Sequence, residues 1–338
     1  MTTTPSLSAP SQAPLHSGFG AETNAAEVIR GADLSGKNAI VTGGYAGIGR
    51  ETTRVLAEAG ASVLVPARDV KKAQANLRGI PGVEIAPLDL LDSASIDAFA
   101  SSYLASGKPL HLLVNNAGVM ALPLTRDARG YEVQFATNHL GHFQLTARLW
   151  PALARAQGAR VVQVSSRGHR YSGIDFDDIH YARRDYEKMH AYGQSKTANI
   201  LFAQALDRRG APHGVRAFSL HPGAILTTDL ARHLGPDDLK RWHIEKKADG
   251  TLAPASDCPF TFKDVPQGAA TTVWCAVSPQ LEGMGGLYCE DCDVSPLAQE
   301  QKSGDLSLTG LHPWAADPQS AERLWTVSEE LTGVPFPI

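Results

Sequence analysis

"NAIVTGGYAGIGRETTRVLAEAG" (residues 38–60) is the stretch whose reading decides the fold. It begins with "NAIVTG", a short apolar run that ends in glycine. From Gly47 onward the apolar residues recur at helical spacing, and Gly60 closes the segment. A strand that passes through a glycine turn straight into a helix is therefore expected. Gly43, Gly47 and Gly49 allow a tight turn and a close approach of backbone to a pyrophosphate, and the helix starting near Gly47 offers its positive end. The spacing is G-x-x-x-G-x-G rather than the commoner G-x-G-x-x-G of dinucleotide sites. Taken alone, the turn is no more than a connection. Its place after a first strand and at the head of a first helix points to a nucleotide.

Working outward, the same alternation continues. "ASVLVPA", "VEIAPLDL", "HLLVNNAG", "ARVVQVSS" and "VRAFSLHPG" read as five further strands. Between them lie "VKKAQANL", "SASIDAFASSYLAS" with a serine as its expected N-cap, a long helix from Tyr131 to about Gln157, and "AYGQSKTANILFAQALDRR". Short apolar runs separated by helical segments indicate βαβ units and a parallel sheet buried on both faces. Right-handed crossovers then give an α/β, doubly wound parallel sheet with helices on both faces, a Rossmann fold, with ligand sites beyond the C-terminal ends of the strands. No break in composition divides the chain. A single domain over residues 21–338 is expected, after a disordered tail at residues 1–20. Two inserts, at residues 167–190 and 224–260, leave strand C-terminal ends near the substrate site; the second suits a lid.

The bulk numbers agree with this. The chain has 338 residues, 43% hydrophobic and 20% charged, with a net charge of −4. That is the balance of an ordinary protein with a sizeable core, and it favours small molecules over nucleic acid as partners. The opening "MTTTPSLSAPSQAPLHSGFG" has no apolar h-region, and no apolar run is long enough to span a membrane, so the cytoplasm is the expected location. Of the four cysteines, Cys289 and Cys292 form "CEDC", but Cys258 and Cys275 are not spaced as a second ligand pair. No metal site is expected. "HLGH" (His139, His142) lacks a third ligand and reads as a helix face.

The second strand ends "VPARD". Ala67 occupies the place where an acid would hold a ribose 2′-hydroxyl, and Arg68 follows, suited to a 2′-phosphate. Asp69 is placed to cap the next helix. NADP(H) is the expected cofactor, with NAD(H) as the alternative. Further on, "HAYGQSKTAN" (residues 190–199) sets Tyr192 four residues before Lys196, one turn apart on one helix face. By composition such a pair arises by chance in roughly one chain of this kind in four. It gains meaning only beside the other motifs.

Together, "TGGYAGIG", "NNAG", "VSS", "YGQSK" and "HPG" occur in the order and strand positions of the short-chain dehydrogenase/reductase superfamily, which this chain resembles from about Asp33 to Leu287. "NHLGHFQLT", "SKTANILF", "GLYCEDC" and the polar insert before Tyr192 look most like its retinol dehydrogenase-like branch. The resemblance implies a catalytic tetrad of Asn138, Ser166, Tyr192 and Lys196, with the second serine of "VSS" in the role rather than Ser165. The residues expected around the dinucleotide are Thr42, Gly43, Tyr45, Gly47, Ile48 and Gly49 of the turn, Arg68, Asp89 and Leu90 near the adenosine, and Asn116, Ala117 and Gly118. Tyr192, Lys196, Pro222, Gly223 and Ile225 complete that set. Tyr45 and Ala46 stand where NADP enzymes of the family often carry a base, so Arg68 alone carries the cofactor preference.

Hydride transfer between nicotinamide C4 and a carbonyl carbon needs a proton for the oxygen. A lysine ammonium beside the tyrosine is expected to lower the phenol pKa from its ordinary value near 10. Ser166 would hold the substrate oxygen, and Asn138 would anchor a water chain to Lys196. The pocket is expected from residues 166–169, the loop after Gly223 and residues 119–124. It suits an apolar or aromatic ketone, aldehyde or alcohol rather than a charged metabolite. Two rivals stay open: a regulatory protein that binds NADP(H) without turnover, and an isomerase or dehydratase with a transient redox step. A homo-oligomer, paired through the helices after the fourth and fifth strands, is left open as well. The amphipathic tail "HPWAADPQSAERLWTVSEEL" either packs back through Leu324, Trp325 and Val327 or covers such an edge.

Overall fold

The computed structural model describes residues 12–259, 261–299 and 309–338. In chain order the elements are α1 (Ala25–Val28), β1 (Asn38–Val41), α2 (Gly47–Glu58), β2 (Ser62–Ala67), α3 (Val70–Asn76), β3 (Val83–Pro87), α4 (Ser93–Ala105) and β4 (Leu112–Asn115). There follow α5 (Val133–Phe135), a π-helical turn (Ala136–Leu140), α6 (Gly141–Arg155), β5 (Ala159–Val164), α7 (Lys188–Gly210) and β6 (Val215–His221). The chain ends with α8 (Pro236–Arg241), β7 (Ile244–Lys246), β8 (Leu252–Pro254), α9 (Val265–Val277), β9 (Leu287–Glu290), β10 (Asp293–Val294) and α10 (Pro318–Thr332). Eight strands form one sheet in the order β10-β9-β6-β5-β4-β1-β2-β3, parallel except for β10; β7 and β8 make a separate hairpin.

The doubly wound sheet and the single domain are as expected, and the reason lies in the strands' burial. Along β1, Ala39 and Val41 enter the core on one face, with α2 and α9, while Ile40 enters the core on the other, with α4, α6 and α7. A strand with both faces covered must be apolar throughout, which is why "NAIV" shows no alternation. Asp69 caps α3 by accepting from the Lys72 amide at 2.9 Å. The cap of α4 is Asp92, not the expected serine: its carboxylate accepts from the Ala94 amide at 2.9 Å and Ser93 is already helical.

Three further features differ from the sequence reading. The sheet has two extra strands, β9 and β10, joined by a tight turn in which Asp291 and Cys292 adopt left-handed φ values of 50° and 60°. Such short strands carry no periodicity. "CEDC" is this hairpin, with both its cysteines buried in the core. Among the described residues no group of three or more His, Cys, Asp or Glu is arranged to hold a metal. The expected tail is ordered from residue 12: Gln12 donates to the carbonyls of Tyr288 (2.7 Å) and Ser295 (2.5 Å), and Leu15 N–H donates to Asp293 (2.7 Å). These bonds occupy an exposed sheet edge that would otherwise be open to pairing. Residues 1–11 of that expected tail lie outside the described residues. Finally, the helix expected from Tyr131 is interrupted at Ala136–Leu140 by the π turn.

At the other end α10 folds back over α6 and α7. Trp325 meets Phe143, Phe202 and Phe336 at ring separations of 5.5, 5.9 and 4.6 Å. Burying rings of this size contributes roughly 1.5–3 kcal/mol each. Of the two roles left open for the C-terminal helix, it packs back, over α6 and α7. Among the described residues no helix is long and apolar enough to cross a membrane.

Candidate active site

The C-terminal ends of β1, β2, β4, β5 and β6 open into one cavity of about 870 Å³. Its wall takes in Thr42, Gly43, Tyr45, Gly47, Ile48, Gly49, Arg68, Asp89, Leu90, Asn116, Ala117 and Gly118. It continues through Ser166, Tyr192, Lys196, Pro222, Gly223 and Ile225. Of the expected site residues only Asn138 stands behind the wall.

The β1–β4 half of the cavity is built on satisfied hydrogen bonds. Thr42 Oγ accepts from the amides of Asn116 (2.9 Å) and Ala117 (3.0 Å), and Asn116 Nδ2 returns a bond to Thr42 O at 2.8 Å. His142, fully buried on α6, closes the network. Its Nδ1–H donates to Asn138 O (3.0 Å), which leaves Nε2 to accept the Thr42 hydroxyl proton (2.9 Å). Burial holds this imidazole neutral, its pKa pushed down to about 4. Read from sequence as a helix face, His142 instead ties the glycine turn to the π turn.

That turn is compact for a reason. A Cβ on Gly49 would lie 2.4 Å from Asn116 Nδ2 and 2.5 Å from Gly43 O. The cap residue of α2, Ala46, has no side-chain acceptor, so the first amides of the helix are left to an anion drawn by the helix dipole. The donor set therefore fits a dinucleotide pyrophosphate. Arg68 stands exposed at the end of β2, and Lys72, which the sequence reading passed over, lines the same end and pairs with Asp229 at 3.2 Å.

At the other half, α7 presents Tyr192 and Lys196, which are 2% and 3% exposed. Lys196 Nζ donates to Val164 O at 2.9 Å and lies 5.7 Å from the Tyr192 ring centroid. Ser166 Oγ accepts from Gly168 N at 2.9 Å and lies near enough to the Tyr192 hydroxyl to favour its ionised form, whereas Ser165 turns away to donate to Lys196 O at 2.7 Å. Gly168 leaves room for the ring: a Cβ there would be 2.8 Å from Tyr192 Cε1. Burial pushes the phenol up to about 12, against the influence of Ser166, and pushes the Lys196 ammonium down to about 7. The expected lowering of the phenol is thus reversed, because burial disfavours the charged form of each group.

Asn138 stands behind the cavity wall, fixed by its own hydrogen bonds. Its side chain accepts from Val119 N (2.8 Å) and donates to Val119 O (3.0 Å) and Ser195 Oγ (2.9 Å). These bonds pin the loop after β4 to α7 beside Lys196. The π turn, a device concentrated at functional sites, sets that side chain between the two. Gly118 completes the convergence, since a Cβ there would sit 3.2 Å from Asn138 Oδ1 and 3.4 Å from Lys196 Nζ.

Both inserts reach this half. From the first, Arg167, Gly168, Arg170, Tyr171 and Met189 line the cavity; from the second, Leu230, Leu234, Trp242 and Ile244 do so. Val119, Met120 and Leu122 supply the wall expected from residues 119–124. An ion pair of 2.5 Å between Lys188 and Asp238 holds α8 against the start of α7. Gly47 meets the second insert directly, a Cβ there lying 3.1 Å from Thr228 Cγ2.

Residues 37–239 match the family model described as short chain dehydrogenase. The chain is 43% identical over 299 residues to the "Probable oxidoreductase" of Streptomyces lividans, covering 87% of this chain and 96% of that one. It is 38% identical over 307 residues to human retinol dehydrogenase 12, covering 89% and 88% of the two chains. Among solved structures, an uncharacterized protein from Mycobacterium paratuberculosis superposes with a TM-score of 0.69 at 32% identity, over 92% of this chain and 98% of that one. The chain belongs to the short-chain dehydrogenase/reductase superfamily, in its retinol dehydrogenase-like branch.

Proposed function

We propose that the protein is an NADP(H)-dependent oxidoreductase that interconverts a hydrophobic or aromatic ketone or aldehyde and its alcohol, with Tyr192 as the acid–base. One observation carries this reading: Tyr192, Ser166 and Lys196 meet on the wall of the same cavity that holds the glycine turn. The nicotinamide, when bound, supplies the hydride chemistry. The chain's residues supply position and the proton. Ser166 holds the substrate oxygen beside Tyr192, whose phenol, pushed up to about 12, keeps its proton at neutral pH and can donate it to the oxygen. Lys196, pushed down to about 7, exchanges a proton easily behind it. The loops around Trp242 and Leu234 exclude water from an apolar substrate.

Arg68 and Lys72 at the end of β2 support the preference for a 2′-phosphate, because no acid stands at Ala67 to take a ribose hydroxyl. The test is a panel of hydrophobic carbonyls and alcohols, read by NADPH absorbance and repeated with NADH. NADPH consumption with at least one apolar carbonyl is expected, at a lower KM than NADH. A preference for NADH would remove the cofactor assignment, and silence across the panel with both cofactors bound would remove the reaction.

A further inference from the structure

Two arginines follow Ser166 on the 3-10 turn Arg167–Tyr171, and both line the cavity. Several arginines of the fold are matched to acids, such as Arg216 with Asp207 at 2.8 Å and Arg148 with Asp97 at 2.8 Å. Arg167 is not. Its backbone N–H donates to His221 Nδ1 at 3.1 Å, its Nε is buried with no partner, and among the described residues no carboxylate pairs with its guanidinium. Glu290 lies close enough for Arg167 to favour its ionised form. Both Glu290 oxygens are already taken, by Tyr288 OH (3.0 Å), Ser295 Oγ (3.1 Å) and Gly310 N (3.3 Å). Arg170 is likewise without an acid: it donates to Tyr171 OH at 3.2 Å and lies over that ring at 5.0 Å.

His221 adds a third unmatched donor. Its Nδ1 accepts from the amides of Arg167 (3.1 Å) and Gly223 (3.4 Å), which leaves the proton on Nε2, buried without an acceptor. A half-buried guanidinium whose neighbouring carboxylate is engaged elsewhere costs stability unless a ligand supplies a better-placed charge. The remainder of this end of the cavity is apolar, with Met189, Leu234, Trp242 and Phe262. A pyrophosphate at the glycine turn is not the natural source of the missing charge. Arg167 is bonded to the end of β6, three strands from β1 in the sheet, or about 14 Å from the glycine turn at the usual strand spacing.

We infer that Arg167, with Arg170 beside it, binds a carboxylate on the substrate. Resting on the function proposed above, the substrate is then an apolar or aromatic carbonyl compound that carries one carboxylate, its apolar body against Trp242 and Leu234. The planar fork of a guanidinium matches a carboxylate in two parallel hydrogen bonds. The uncharged substrate expected from sequence is amended in this one respect.

The test is calorimetric titration of the full-length protein with 2-naphthoate and with neutral 2-naphthamide. The acid should bind about tenfold more tightly. Arg167→Met should abolish that preference, and Arg167→Lys, which keeps the charge, should retain part of it. Equal affinities for acid and amide, binding of neither, or an unchanged preference in Arg167→Met would each overturn the inference. So would a loss of NADPH affinity in Arg167→Met with the acid preference intact, since the guanidinium would then serve the dinucleotide. Turnover separates the two proposals: 4-acetylbenzoate should consume NADPH faster than its methyl ester at equal low concentration. If neither these nor any carbonyl of the panel is reduced while the naphthoate preference stands, the redox reading fails and the carboxylate site survives.

Discussion

The two halves of the cavity are built on opposite principles. Around the glycine turn, Thr42, Asn116, His142 and Asn138 satisfy one another in a closed set of hydrogen bonds, and glycines remove the atoms that would obstruct it. Around Ser166, by contrast, Arg167 Nε and His221 Nε2 are buried donors without acceptors, and the wall is made by half-buried apolar side chains of two inserts. A half that satisfies itself is a scaffold and should be rigid and intolerant of change. A half that leaves donors unmatched is completed by its ligand, and should tolerate substitution in stability while losing selectivity.

The sharpest way to break this contrast is Gly49→Ala. The new methyl would press on Asn116 Nδ2 and Gly43 O, and a destabilisation of about 3 kcal/mol is expected from denaturant unfolding, with loss of dinucleotide binding. A neutral effect would mean the turn is looser than its contacts imply. His142→Phe comes next, at about 2 kcal/mol near neutral pH, because it strands the Thr42 hydroxyl and the Asn138 carbonyl.

The same residue gives a pH signature. With its folded pKa at about 4, below the unfolded value of 6.5, the unfolded chain binds the extra proton first. His142 therefore contributes full stability above pH 6.5 and loses it as pH falls towards 4, by about 3 kcal/mol. The stability curves of the native protein and His142→Phe should converge on acidification and then cross; parallel curves would contradict a neutral, buried imidazole.

Smaller effects belong to the exposed or ligand-facing positions. Arg68→Ala should weaken NADPH about tenfold, or about 1.4 kcal/mol, with little change for NADH. An equal loss for both cofactors would show that Arg68 does not meet a 2′-phosphate. Leu234→Ala, in the second insert, should shift the unfolding midpoint by less than about 1 kcal/mol yet raise KM for apolar substrates, because its side chain is half-buried and faces the cavity.

What could be seen from sequence follows the same division. The glycine turn, the Asp69 cap and the strands of the alternation are local, written in neighbouring residues. The link between Thr42 and His142 spans 100 positions and only the fold brings it together. The π turn left no mark in "ATNHL", since its residues would also suit an ordinary helix. The Tyr192 phenol was read from its neighbour Lys196, while burial, which depends on every element packed around α7, reverses the shift. Arg167 was one charge in a polar insert until the fold placed the acids of the described residues around it.

The central claim is that Tyr192 moves the proton while the rest of the cavity binds. The direct measurement compares Tyr192→Phe with the native protein in single-turnover oxidation of NADPH by an accepted carbonyl, with NADPH affinity measured on the same samples. The account predicts a rate lower by about a thousandfold and an affinity changed by less than about threefold. Turnover at the native rate in the Phe protein would contradict it.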